Sequence, residues 1–224
     1  MVATKFAGAL TAALLVMTAI SAPPAHAQWY VSGNVGASFL SDADATDTVG
    51  ALVGKGDASF DTGFGLSGAI GHAWGPVRLE GELSYRKNNL DQLNGITING
   101  FLIPALGPVN LGGDVSSFGF MANGYYDFDT GGKWVPFLMA GIGGARLNLD
   151  VTSVASVATT YDESDTVFAY QVGAGIGYKF TPSTIANLSY RFFGTSDPTF
   201  NDGVDKVEGE YRSHNIWAGI TVKF

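Results

Sequence analysis

From Val77 to Arg86 the residues alternate one by one: Val77, Leu79, Gly81, Leu83 and Tyr85 against Arg78, Glu80, Glu82, Ser84 and Arg86. An apolar face and a charged face one residue apart is a period of two, which a strand sorts to opposite sides and a helix does not. Seven other segments carry the same period. In the first, Trp29, Val31, Val35 and Phe39 oppose Tyr30, Ser32, Asn34 and Ser38. The others lie at about 64–74, 117–128, 135–148, 168–180, 186–192 and 215–224. The segment from about Val135 to Asn148 is small or apolar on both faces, and its phase stays open. Each is long enough, about 9–11 residues, to cross a thin membrane at a tilt.

The connections alternate short and long. Gly75-Pro76, Asp129 to Lys133 and Thr181-Pro182-Ser183 are short. Ser41 to Ser59, Asn88 to Asp114, Asp150 to Asp165 and Gly194 to Glu210 read as four long polar loops. An even strand count with short turns on one side and long loops on the other predicts an all-β, eight-stranded antiparallel up-and-down transmembrane β-barrel. Termini and short turns are expected in the periplasm, the loops outside the cell. Aromatic residues gather at both ends of the segments: Trp29, Trp74, Trp134 and Phe180 at one, Phe39, Phe64, Phe118 and Phe168 at the other. Two such girdles belong where a barrel meets the membrane interfaces. A soluble β-sandwich also alternates, but needs no aromatic rings.

The amino terminus agrees with export. Lys5 precedes an uncharged run from Phe6 to Ile20, then Pro23, Pro24 and the small residues Ala25 and Ala27. This is the layout of a cleavable signal peptide, residues 1–27, with the barrel as residues 28–224. The run is too short for a spanning helix, which needs roughly 20 apolar residues. No other stretch is long and apolar enough for one. The chain has no cysteine, so the fold does not rely on the disulfides that an oxidising space permits. Glycine is 31 of 224 residues, about twice the roughly 7% average, which suits bends and close packing inside a barrel. The formal charge of −8 becomes −9 without Lys5. That balance disfavours nucleic acid as a partner and a polybasic grip on anionic lipid.

The ending Asn215-Ile216-Trp217-Ala218-Gly219-Ile220-Thr221-Val222-Lys223-Phe224 resembles the C-terminal signal of bacterial outer-membrane barrels. The whole segment from Trp29 to Phe224 resembles the small eight-stranded family that includes OmpA-like barrel domains and opacity-type surface proteins. Residues 77–86 are similar to that family's third strand, 121–128 to its fourth and 136–143 to its fifth. The resemblance implies residence in the outer membrane of a Gram-negative bacterium, among its lipid and lipopolysaccharide. It also implies that the barrel-assembly machinery reads Phe224, Val222 and Ile220. The sequence ends on the eighth segment, so a peptidoglycan-binding domain and a cell-wall tether are not implied.

The inward phase concentrates charge. Arg78, Glu80, Glu82 and Arg86 share one face, with Asp127, Lys179, Arg191 and Lys223 inward on other segments. An eight-stranded barrel is just wide enough for side chains to fill it. A salt-bridged plug is therefore favoured over a gated narrow pore. Glu80 and Glu82 are expected to pair with Arg or Lys of other strands, Arg191 and Lys179 first. Catalysis is not expected. His72 and His214 sit toward opposite strand ends, and His214 points away from its neighbour Ser213. Gly173-x-Gly175-x-Gly177 lies within a strand and opens no helix, so it is no nucleotide fingerprint. Asp42-x-Asp44-x-x-Asp47 departs from a calcium loop. No cofactor or metal site is expected. In the second loop Ile98, Phe101, Leu102, Ile103 and Leu106 form an apolar island. It is either a strand extension or lid, or an exposed patch for an extracellular partner.

The function expected is a structural, adhesin-like scaffold displaying four extracellular loops. The alternative is a narrow pore or a transporter of small solutes or hydrophobic compounds. Deleting Phe224 should lower the amount of heat-modifiable protein in outer membranes more than deleting any single loop residue, as read on unheated gels. Unchanged membrane levels would remove Phe224 from assembly.

Overall fold

Eight strands carry the alternating segments: β1 (Trp29–Leu40), β2 (Gly63–Trp74), β3 (Val77–Ile98), β4 (Val109–Asp127), β5 (Trp134–Val154), β6 (Val157–Lys179), β7 (Thr184–Thr195) and β8 (Arg212–Lys223). The computed structural model describes residues 29–41, 43–49, 52–98, 101–102, 109–154, 157–196, 199–201, 206–208 and 211–224. The export-signal expectation for residues 1–27 lies outside them. Each strand pairs antiparallel with its chain neighbour. β1 then pairs with β8 from Tyr30↔Lys223 to Leu40↔Ser213, which closes the barrel.

Closure follows from the sequence because both faces of every strand find a suitable medium. Leu66, Ile70, Leu79, Leu83, Leu138 and Ile142 point outward and are exposed. Their inward neighbours are mostly buried. Trp29, Trp74, Trp134, Phe180 and Phe224 stand exposed at the short-turn end, and Phe39, Phe64, Phe118 and Phe168 at the other. Phe64 and Trp74 are ten residues apart on β2. At about 3.4 Å per residue and a tilt of about 40°, that spans the roughly 25 Å apolar band of an outer-membrane barrel. The short turns use backbone that favours glycine: Gly75 has φ 58° and Gly131 has φ 69°.

The open phase of β5 is settled. Val135, Phe137, Met139, Ala145 and Leu147 are buried inside, while Leu138 and Ile142 face outward. Apolar residues on the lumen side erased the polarity contrast.

The four expected loops need correction. Much of their length is strand. β3 runs thirteen residues past Tyr85, and β6 begins eleven residues before Phe168. β5 and β6 stay paired out to Val154↔Val157, with one register shift between Val151 and Ser153. The first loop contains a hairpin, Ala43–Val49 with Leu52–Phe60, whose second strand pairs with β3 from Phe60↔Leu90 to Gly54↔Ile98. Within the last loop, Thr199–Asn201 pairs with Lys206–Glu208, and Glu208 reaches Thr46. The barrel wall therefore continues beyond the outer girdle. Outside lipid both faces of a strand meet water, so alternation is no longer required. The backbone still needs partners, and an existing ladder supplies them. Of the apolar island, Ile98 pairs with Phe101 and Thr97 with Leu102 as a strand extension. Ile103 and Leu106 lie outside the described residues.

The lumen is packed closely enough for single glycines to matter. Trp217 is fully buried, on the inward face of β8. A Cβ on Gly36 would lie 2.9 Å from the indole, and one on Gly65 2.5 Å from it. Gly65→Val should therefore destabilise the folded barrel by about 1–3 kcal/mol, the usual range for overpacking. Urea unfolding in a fixed bilayer checks this, and an unchanged midpoint would mean the indole has room to move.

Candidate functional site

Successive inward residues of β3 mark depth along the lumen. At the short-turn rim Arg78 makes a two-pronged contact with Asp127: Nε donates to Oδ2 and Nη2 to Oδ1, both at 2.8 Å. Tyr125 stacks under the guanidinium, 4.2 Å from ring centroid to Cζ. One step deeper Glu80 accepts from Tyr125 Oη at 2.6 Å, Tyr30 Oη at 2.9 Å and Asn123 Nδ2 at 3.2 Å. Next, Glu82 accepts from Arg191 Nη1 at 2.6 Å and from Gln171 Nε2 at 3.2 Å. Gln171 Nε2 also donates to Asn123 Oδ1 at 2.8 Å, which joins the two carboxylate layers.

Arg86 occupies the outer part of the lumen with no exposed surface. Its Nη1 donates to Ser84 Oγ at 3.1 Å, and its guanidinium lies 4.0 Å from the Phe193 centroid and 5.5 Å from that of Trp217. No carboxylate pairs with it among the described residues. Contact with two ring faces is how this cation is accommodated away from water. Phe193 also belongs to a buried cluster with Met121, Ala145, Leu147, Val167, Ala169 and Tyr211.

Of the eight inward charges named from the sequence, Arg78, Glu80, Asp127, Arg191 and Lys223 line the lumen cavity and Glu82 and Arg86 are fully buried, and not all pair as expected. Arg191 meets Glu82. Glu80 takes no cation; two phenols and an amide serve it. Lys179 stands at the short-turn rim, where its N–H donates to Lys133 O. It pairs with Ile185, six residues from Arg191 on β7, about 20 Å along the strand. Lys179 makes no ion pair with either glutamate among the described residues. Lys223 shares the rim, where its N–H donates to Ser183 O. Sequence reasoning missed Tyr30, Asn123, Tyr125 and Gln171 as linkers. Their inward phase and polar ends were the available signal.

The two described histidines, His72 and His214, are on the outer surface. His72 packs between Trp29 and Trp74, with centroids 5.0 and 4.2 Å away. His214 Nδ1 shares a 2.6 Å hydrogen bond with Tyr190 Oη beside Phe192, toward the opposite end. A cavity of about 30 Å³ occupies the short-turn half of the lumen, lined by Arg78, Glu80, Asp127, Arg191 and Lys223 along with Val135, Phe137 and Ile185. It ends against the Glu82–Arg191 layer.

Comparison with known proteins agrees with this geometry. The family described as "Outer membrane protein beta-barrel domain" matches residues 10–224. Outer membrane protein PagN of Salmonella typhimurium is 30% identical over 120 residues, 52% of this chain and 49% of PagN. The chain therefore spans about half the length of that relative. Among solved structures, OprG of Pseudomonas aeruginosa is similar with a TM-score of 0.55 at 14% identity, covering 88% of this chain and 96% of OprG. Neisserial surface protein A gives 0.52 at 20% identity, covering 88% and 97%. At such identities these structures bear on the fold alone.

The layers differ in what they stand to lose. Glu82→Gln leaves Arg191 buried without its charge partner, and breaking a buried pair typically costs about 3–5 kcal/mol. Glu80→Gln disturbs only hydrogen bonds to neutral donors, worth about 1–3 kcal/mol. Urea unfolding followed by tryptophan emission should rank the variants in that order. Wild-type behaviour from both would contradict a charge-sealed lumen.

Proposed function

The chain belongs to the outer membrane protein beta-barrel family, and from that premise we propose that it is a sealed membrane scaffold whose extracellular wall makes adhesin-like surface contacts. The observation that carries the reading is the length of β3 to β6. Each runs roughly twice as far as lipid requires: 22, 19, 21 and 23 residues against about 9–11. Strand ladder beyond the outer girdle does nothing for membrane insertion. A rigid framework with variable tips is where binding residues collect. The apolar island around Ile98, Phe101 and Leu102 sits on such a tip.

The lumen supports the same reading. The Glu82–Arg191 layer and the Arg86, Phe193 and Trp217 layer stand in series across it. The narrow-pore reading is favoured by one feature, the cavity on the short-turn side, which stops at the first of these layers. Export through cleavage after Ala27, and recognition of Ile220, Val222 and Phe224 by assembly machinery, belong to this proposal.

The test is to replace all four extracellular segments with tight turns just beyond the outer girdle. The trimmed barrel is expected to assemble, to conduct no better than the parent, and to lose binding to cells or matrix. Retained binding would move the function into the barrel. Steady solute-selective conductance of the parent, abolished by Glu82 changes, would replace this reading with the pore.

A further inference from the structure

The outward residues of β2 run Phe64, Leu66, Gly68, Ile70, His72 and Trp74. Lipid explains all of them but His72. That imidazole stands in the short-turn girdle, in register with Trp29 of β1 on one side and Leu79 of β3 on the other. Neither neighbour carries a charge or an acceptor side chain. His72 makes no ion pair among the described residues. A donor turned toward lipid with no acceptor is costly, so the ring requires a partner from outside the protein.

Packing decides which nitrogen needs it. The ring lies 5.0 Å from that of Trp29, nearly perpendicular to it, and 4.2 Å from that of Trp74. Nδ1 is enclosed and meets no hydrogen-bond partner. The residue as a whole is only part-buried, so its accessible edge is the one that carries Nε2. A proton on Nδ1 alone would bury an N–H without an acceptor. The neutral ring therefore carries its proton on Nε2, and the imidazolium has one there too. Either form presents an N–H between two half-exposed indoles.

Depth decides what meets it. Tryptophans of a membrane protein sit at headgroup level, and the short-turn girdle faces the inner leaflet. The acceptors at that level are phosphodiester oxygens and the ester carbonyls just below them. The phosphodiester is charged, and a hydrogen bond to a charged acceptor is roughly twice as strong as one to a neutral acceptor.

We propose that Trp29, His72 and Trp74 form a binding site for the phosphodiester group of an inner-leaflet phospholipid. His72 Nε2–H donates to a phosphate oxygen, and the two indoles flank the bond and keep water from it. The site pins the short-turn end of β2 at a fixed depth. It is separate from the extracellular surface reading and stands or falls without it.

The test is solid-state magnetic resonance of the purified full chain, isotope-labelled at its histidine nitrogens, in bilayers of phosphatidylethanolamine and phosphatidylglycerol. Dipolar recoupling between nitrogen and lipid phosphorus is expected to place one His72 nitrogen about 4 Å from phosphorus, the length of one N–H···O bond plus a P–O bond. His72→Gln should abolish that signal and leave the coupling of the other histidines as it was. If that variant does not refold, His214→Gln removes the other histidine of the strands and lets His72 be read directly. Trp74→Ala should weaken the coupling, because the ring loses one wall. Absence of phosphorus coupling at His72, or coupling to the ester carbonyl carbons in its place, would overturn the proposal. Coupling undiminished in Trp74→Ala would overturn the three-residue site.

Discussion

Inside hydrocarbon a backbone N–H or C=O can bond only to protein, and each one left over costs several kcal/mol. The ladder between β1 and β8 discharges that requirement for the whole sheet, since without it two edges would face lipid. It joins residues as distant as Val31 and Val222. Even the last residue takes part: Phe224 N–H donates to Trp29 O at 2.9 Å. Side-chain alternation, girdle placement and turn geometry are all conditions under which this closure can occur at the right depth.

Closure in turn dictates the interior. A ring of eight strands has little free cross-section, so whatever points inward must be mutually compatible. This chain uses several solutions at different depths. Two-pronged arginine–carboxylate contact serves one level. A carboxylate shared by two phenols and an amide serves another, and a short direct ion pair a third. A guanidinium against aromatic faces, one of which joins a largely apolar cluster, completes the series. Polar layers of this kind have specific partners, so they fix which strand sits beside which as well as filling space.

Legibility in the sequence followed contrast between environments. β3 could be phased residue by residue because lipid and lumen demanded opposite chemistry of Leu79 and Glu80. β5 could not, because Phe137 and Met139 pack with Tyr125 in an apolar lumen patch and lipid lies on the other side. The cation–carboxylate pairing was half legible. Inward phase identified Arg191 and Glu82, but sequence carries no measure of depth, and depth separates Lys179 from the glutamates. The extracellular strands were hidden because water on both faces removes the period. Their remaining signal is composition: Val151-Thr152-Ser153-Val154 and Val157-Ala158-Thr159-Thr160 are rich in β-branched residues that favour strands.

The four tryptophans are divided unevenly by this architecture. Trp29, Trp74 and Trp134 are about half exposed in the periplasmic girdle, whereas Trp217 has no accessible surface. Three indoles therefore sit where lipid headgroups and acyl chains meet, and one is enclosed by Gly36, Gly65 and the guanidinium layer. In optical terms the chain carries two separate probes. A quencher dissolved in the bilayer reaches the first three and leaves the fourth emitting. What survives quenching reports the state of the lumen alone, without any label added to the protein.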